Sequence, residues 1–170
     1  MRILFVGGGR DYKGAPLFRA IQAHCQLLHP QWQLHAVGDE AFARAHGPGL
    51  HLTPEIYRAY HAVLVLTDNR VWKETFGLVG CEAAACGCLP LFTDRFAYAE
   101  LWSDFTAQLF LPTADAQVIA GQLARLLADR PALDRLRDAV RQHALALTDA
   151  TSVAAQWRDL VQRIVHPAQL

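Results

Sequence analysis

No sign of charge dominates this chain: sixteen lysines and arginines balance sixteen aspartates and glutamates, for a formal net charge of zero. That balance excludes general electrostatic capture of nucleic acid or of an anionic membrane, so any anionic ligand has to be held by a local cluster of donors. Cysteine is scarce and poorly spaced for a metal. Cys25, Cys81, Cys86 and Cys88 contain one C-x-C pair without nearby histidine partners, which is not a zinc ligand set. They read as free, small core residues. No D-x-D pair is present to hold a divalent cation, and no residue is an evident enzymic nucleophile. A run of roughly 20 unbroken apolar residues is missing too. The longest candidate, Phe76 to Phe92, is interrupted by Gly77, Gly80, Glu82, Gly87 and Pro90. The apolar part of MRILFVGGG is too short for a signal peptide, and the expected location is cytoplasmic, in a reducing compartment.

Apolar residues, by contrast, are plentiful. At 52% of 170 residues they are enough to bury the core of one domain spanning 1–170. Short apolar bursts at Ile3–Val6, Ala62–Leu66 and Leu89–Phe92 predict strands, with a second strand over Trp32–Val37 stopped by Gly38 and Asp39 and a last one over Gln108–Leu111. Helical spacing separates them: Leu17 to Leu28, a short helix over Glu55–Tyr60, and a buried helix over Phe76–Cys86 ended by Gly87. Non-alternating apolar strands joined by helical crossovers predict an α/β fold, a Rossmann-like parallel sheet with helices on both faces. From Asp115 the pattern is a helical C-terminal tail broken near Pro131 and Asp149, and there is no internal repeat or low-complexity linker.

Open parallel sheets bind ligands beyond the carboxyl ends of their strands, where loops meet helix N-termini. Two loops stand there. GGGRDYKG follows the first strand; its glycines, Gly9 among them, permit close approach of backbone to a ligand, and Arg10 and Lys13 place two cations on one short loop. The pair suits a phosphate or diphosphate, although a glycine turn with two exposed cations is also a common structural feature. TDNRVWKETFG follows the third strand. Amides of Gly77, Leu78 and Val79 at the helix start can bind an anion, and Glu74 at the mouth can accept hydrogen bonds from hydroxyls.

Glu82, further along the same helix, is the one charge in an otherwise small or apolar stretch. It can accept from hydroxyls, or it can be the acid of a buried ion pair with Arg10 or Lys13. Glu74 equally reads as a favourable acid on the helix dipole. A ligand with hydroxyls on both sides of a diphosphate satisfies all of these groups, and a nucleotide sugar has that layout.

The spacing E-x-F-G-L-V-x-x-E-A-x-A-x-G-x-x-P from Glu74 through Glu82 to Pro90 resembles the E-x7-E signature of retaining glycosyltransferases of the GT-B fold, family 4 type. The likeness runs in order along nearly the whole chain. FVGGGRDYKGAPLFRAI is similar to that family's first strand and cation loop, LHAVGDE to its V-G-D, IYRAYHAVLVLTD to the approach to its P-S loop, FTDRFAYAEL to its fifth-strand segment, and PTADAQVIAGQLARLLAD to the helix after it.

The resemblance implies the C-terminal, donor-binding half of a GT-B enzyme, with the N-terminal acceptor domain absent. It assigns Arg10 and Lys13 to the diphosphate, Glu74 to the donor sugar, Gly77, Leu78 and Val79 with Gly9 to phosphate contacts, and Glu82 to the ribose. It implies no metal, no cofactor, and a UDP-, GDP- or ADP-linked sugar transferred with retention to an acceptor held by a missing or separate partner. Membrane association, where it occurs, is expected to be peripheral and through that half. The chain alone is expected to bind a donor better than it transfers one. The alternative is a non-catalytic nucleotide- or partner-binding module derived from a glycosyltransferase. Departures from the pattern are a shortened cation loop, Thr75 for a frequent glycine, and Thr67-Asp68 for Pro-Ser.

Overall fold

A computed structural model describes residues 1–7, 10–47, 51–68, 70–73, 75–93, 95–111 and 114–165. Four short parallel strands, β1 (Arg2–Phe5), β2 (Gln33–Ala36), β3 (Ala62–Val65) and β4 (Leu89–Phe92), form a sheet in the order β2-β1-β3-β4. The register is fixed by Ile3 opposite Leu34 on one side and opposite Ala62 on the other, with Leu64 opposite Leu91. β3 and β4 are buried at every position, which explains their unbroken apolar sequence.

Side chains alternate across β1. Ile3 and Phe5 join the layer of α1 (Ala15–Leu28), where Phe5 stacks on Phe18 at 4.7 Å. Leu4 joins a second cluster with Phe42 of α2 (Glu40–His46), Tyr57 of α3 (Pro54–Arg58) and Ala83 of α4 (Leu78–Ala85). Three longer helices complete the described chain: α7 (Ala116–Ala128), packed on α1; α8 (Arg130–Leu147), packed on α4; and α9 (Ala150–Val165). Pro131 sits in the first turn of α8, where its missing N–H costs nothing, and Asp129 caps that helix by accepting from the Ala132 amide. No residue of α9 is buried; Val153, Trp157, Leu160, Val161 and Ile164 make an uncovered apolar stripe at helical spacing.

The strand expected over Gln108–Leu111 does not form. α5 (Phe96–Leu101) is followed by α6 (Thr106–Leu109), and Phe110 makes a single parallel bridge to Phe92, extended by one bond from the Leu111 amide to the Phe92 carbonyl. Leu109, Phe110 and Leu111 are buried by packing, not by a ladder, and burial alone produced the apolar run that resembled a strand. The cysteines are free, as expected, and burial pushes the Cys25 thiol up to about 11. No helix among the described residues is long and apolar enough to cross a membrane.

A histidine network ties the β2 edge to its neighbours. The Tyr60 hydroxyl lies 2.7 Å from His35 Nδ1 and 2.9 Å from His46 Nε2, and the Arg2 guanidinium sits 4.9 Å from the Tyr60 ring centre. His61 Nδ1 accepts the Arg2 amide at 3.1 Å. All three histidines are held below their ordinary range. Burial is the leading cause for each; Asp39 opposes it at His35, Arg2 adds to it at His35 and His46, and Arg130 and Arg137 add to it at His61.

Because the folded pKa values lie below the unfolded value of about 6.5, the unfolded chain binds more protons once the pH drops into that range. This contribution to stability is therefore complete above about pH 6.5 and is lost as the pH falls towards the folded values. The urea midpoint is expected to decline between pH 7.5 and pH 5.5; a constant or rising midpoint over that interval contradicts this assignment.

Candidate functional site

The turn after β1 brings its two cations together. The Arg10 amide donates to the Gly7 carbonyl at 3.1 Å, and Asp11–Lys13 then form a single 3-10 turn closed by Gly14. Gly14 is needed there: its φ is +86°, and a Cβ would collide with the Leu66 carbonyl. The turn feeds directly into α1, with Pro16 in the first turn of that helix.

Asp68 organises the loop after β3. Its carboxylate accepts from the Arg70 amide at 3.0 Å and from the Arg70 side chain at 2.9 and 2.7 Å, and this partner holds the acid down to about 2. The Asp68 carbonyl accepts from the Val71 and Trp72 amides, while its own amide donates to the Tyr12 carbonyl at 3.0 Å. These bonds tie the two loops together. They bring Trp72 to 5.7 Å from the Tyr12 ring, and Lys13 Nζ lies 5.9 and 5.6 Å from the two ring centres. Arg10 Nη1 donates to the Tyr12 hydroxyl at 3.1 Å.

α4 begins two residues later than Phe76–Cys86 suggests, because Gly77 is left-handed (φ +76°) and acts as its N-cap. Among the described residues no side chain caps this end. The first amides of a helix have no partner within it, so this terminus is an anion-binding group in waiting.

These parts meet in one cleft of about 510 Å³ beyond the carboxyl ends of β1, β2 and β3. Its lining combines the cations Arg10 and Lys13 and the amides of Gly77, Leu78 and Val79 with apolar side chains that include Val37, Leu52 and Tyr98. The volume lies within the range of small-molecule sites. A second crevice of about 410 Å³ lies beside it, sharing Thr67, with Asp11, Asp68 and Arg70 in its wall. The first is the candidate site because it collects the sequence-predicted residues; the cation of the second is already paired with Asp68.

Gly9 and Glu74, also predicted for the site, lie outside the described residues. Glu82 corrects an expectation. It is exposed, not buried, and its partner is neither Arg10 nor Lys13: the Tyr57 hydroxyl donates to Glu82 Oε2 at 3.0 Å. The physical reason is rotational. α4 turns Gly80, Cys81, Ala83 and Ala84 inward, and its outward face carries Leu78 and Glu82, four residues apart. Glu82 is not part of the cleft wall; it lies one helical turn beyond Leu78 on the same face.

Sequence reasoning missed Tyr57, Tyr98 and the Tyr12–Trp72 pair. Tyr12 and Trp72 could have been found, since each sits within three residues of a predicted site residue. Tyr57 and Tyr98 come from elements whose contact with α4 is purely tertiary. Among the described residues, no group of three or more His, Cys, Asp or Glu side chains is placed to hold a metal ion.

No curated protein matches the sequence. Among solved structures, sucrose-phosphate synthase from Thermosynechococcus elongatus is similar, with a TM-score of 0.69 and 24% identity over 98% of this chain and 46% of that one. At that identity the likeness speaks for the fold, a Rossmann-like half of the GT-B type, and this chain spans less than half the length of that structure. The family model described as glycosyl transferases group 1 matches residues 2–143, well over half of the sequence and both cleft loops. The chain belongs to the group 1 glycosyl transferases.

Proposed function

We propose that this chain is the donor-binding half of a retaining glycosyltransferase of family 4 type, holding a UDP-, GDP- or ADP-linked sugar in the cleft beyond β1 and β3. One observation carries the reading: Arg10, Lys13 and the α4 N-terminus line a single crevice at the strand ends. Together they form a diphosphate cradle of two cations and a helix terminus. The apolar side at Val37 and Leu52 suits a base and ribose, and Glu82, a turn below Leu78, is the proposed acceptor for ribose hydroxyls.

Transfer breaks the bond between the anomeric carbon and the phosphate oxygen, and negative charge grows on the leaving diphosphate. Lys13, Arg10 and the α4 amides oppose that charge from fixed positions, which lowers the barrier electrostatically. Retention follows from attack by the acceptor on the leaving-group face, with Glu74 assigned to orient the sugar. The acceptor is assigned to a second body, as a separate domain or partner chain. The uncovered stripe of α9 supports that part of the reading, because an apolar helix face of this length is a surface that packs against something.

The experiment is a thermal-shift series with UDP, GDP and ADP. A ligand at a hundred times its dissociation constant stabilises the native state by about 2.7 kcal/mol. For a chain of this size that raises the melting temperature by roughly 5–10 °C. No rise with any of the three at millimolar concentration sinks the proposal.

A further inference from the structure

We propose that Tyr57 is a positioning residue for the nucleotide site: it fixes the Glu82 carboxylate through Oε2 so that Oε1 is presented to a ribose hydroxyl. This rests on the donor-site reading above and adds to it a residue from a different element. Glu82 is exposed on a short helix, and a free glutamate there samples several rotamers. Tyr57 is its opposite. It is 2% exposed, and its ring is clamped in a cluster with Val37, Val63 and Ala83. Its helix is also fixed, since α3 starts at Thr53, whose Oγ1 accepts from the Ile56 amide, with Pro54 in the first turn.

The buried ring therefore holds its hydroxyl in one place, 3.0 Å from Glu82 Oε2. Burial, with Glu82 as the second cause, pushes the Tyr57 phenol far above its ordinary range. The hydroxyl stays protonated at any working pH and can only act as a donor towards a carboxylate. One oxygen of Glu82 is thus engaged and the other keeps its lone pairs. The placement is also apt: Leu52 lines the cleft just before α3, Leu78 lines it one turn above Glu82, and Val37 belongs to both the cleft wall and the Tyr57 cluster. Tyr57 joins the wall that would face a nucleoside to the acid that would read its sugar. Pre-ordering a side chain of this kind removes an ordering cost worth roughly 3- to 10-fold in affinity.

The test is calorimetry on the chain as it stands. UDP, GDP and ADP are titrated first, and the tightest binder is then compared with its 2′-deoxy and 3′-deoxy forms. Wild type, Tyr57→Phe, Tyr57→Met, Glu82→Gln and the Tyr57→Phe/Glu82→Gln double variant are measured. The Phe variant removes only the hydroxyl. The Met variant removes it with a different side chain, so that a folding defect in one leaves the other. The expected result is a preference for the ribonucleotide that Glu82→Gln abolishes, that both Tyr57 variants reduce by about 3- to 10-fold, and that falls no further in the double variant.

If Glu82→Gln abolishes the preference while both Tyr57 variants retain it in full, the positioning role is overturned and the donor site stands. If the wild-type chain binds none of the three nucleotides, both are overturned. A uniform loss of affinity for ribo and deoxy forms in the Tyr57 variants returns Tyr57 to a packing role.

Discussion

Gly77→Ala is expected to cost about 3 kcal/mol or more and to close the cleft. Two effects add at this position. The residue is left-handed, which a side-chain-bearing residue adopts at a cost of roughly 1–2 kcal/mol. A Cβ there also collides with the Tyr98 ring, which is 1% exposed and stacked on Phe92 at 4.0 Å, so the ring has nowhere to retreat. Overpacking of this kind adds about 1–3 kcal/mol.

For a chain of 170 residues the melting temperature should fall by roughly 10 °C. Binding of a nucleoside diphosphate should be lost along with it, because Gly77, Leu78 and Val79 form one side of the cleft. A Gly77→Ala/Tyr98→Ala pair provides the check. Tyr98→Ala alone leaves a cavity over Phe92, but in the double variant the new methyl enters that space. The double variant should then cost less than the sum of the two single variants, by at least about 1 kcal/mol. Full additivity would mean that the ring and the glycine are not opposed, and that the α4 start is set by something else.

The centre of the sheet was legible because β3 and β4 bury every residue and therefore show as unbroken apolar bursts; β4 begins and ends at the residues expected of it. The short helix α3 was legible, expected over Glu55–Tyr60 and found at Pro54–Arg58, while α2 was not, since its seven residues bury only Phe42 and leave no periodic pattern. Gln108–Leu111 misled because a sequence shows that residues are apolar and not how they come to be buried.

The site divides the same way. Arg10, Lys13 and the α4 terminus could be read because loops at strand ends are local in sequence, and the structure does bring them together. The environment of Glu82 could not. The outward face of α4 carries Leu78 at 64% exposure, so the helix is apolar on its solvent side as well and hides which way Glu82 turns. Its hydroxyl partner lies 25 residues away in sequence, on an element that reaches it through the hydrophobic cluster beneath β1 and β3.

Lys13→Ala should separate phosphate binding from nucleoside binding. Charge-assisted hydrogen bonds contribute about 1.5–3 kcal/mol each, so losing one to a diphosphate weakens a nucleoside diphosphate by roughly 10- to 150-fold. Affinity for the matching unphosphorylated nucleoside should be unchanged, because Lys13 brings a cation to the cleft lining and Val37 and Leu52 bring its apolar surface. Arg10→Ala should cost less: its guanidinium is on an exposed residue already engaged by the Tyr12 hydroxyl, where solvent and salt screen it.

The placement of Lys13 near two tilted rings adds a second readout. Lys13 now sits near the Tyr12 and Trp72 rings, an arrangement worth about 0.5–1 kcal/mol at an exposed site. A diphosphate competes with the rings for the same ammonium group, so Trp72→Ala should tighten nucleoside diphosphate binding by a few-fold and leave nucleoside binding alone. Equal loss of nucleoside and nucleoside diphosphate in Lys13→Ala would show that the lysine supports the cleft wall and does not contact phosphate. The rings would then be its working partners, and the cradle would reduce to Arg10 and the helix terminus.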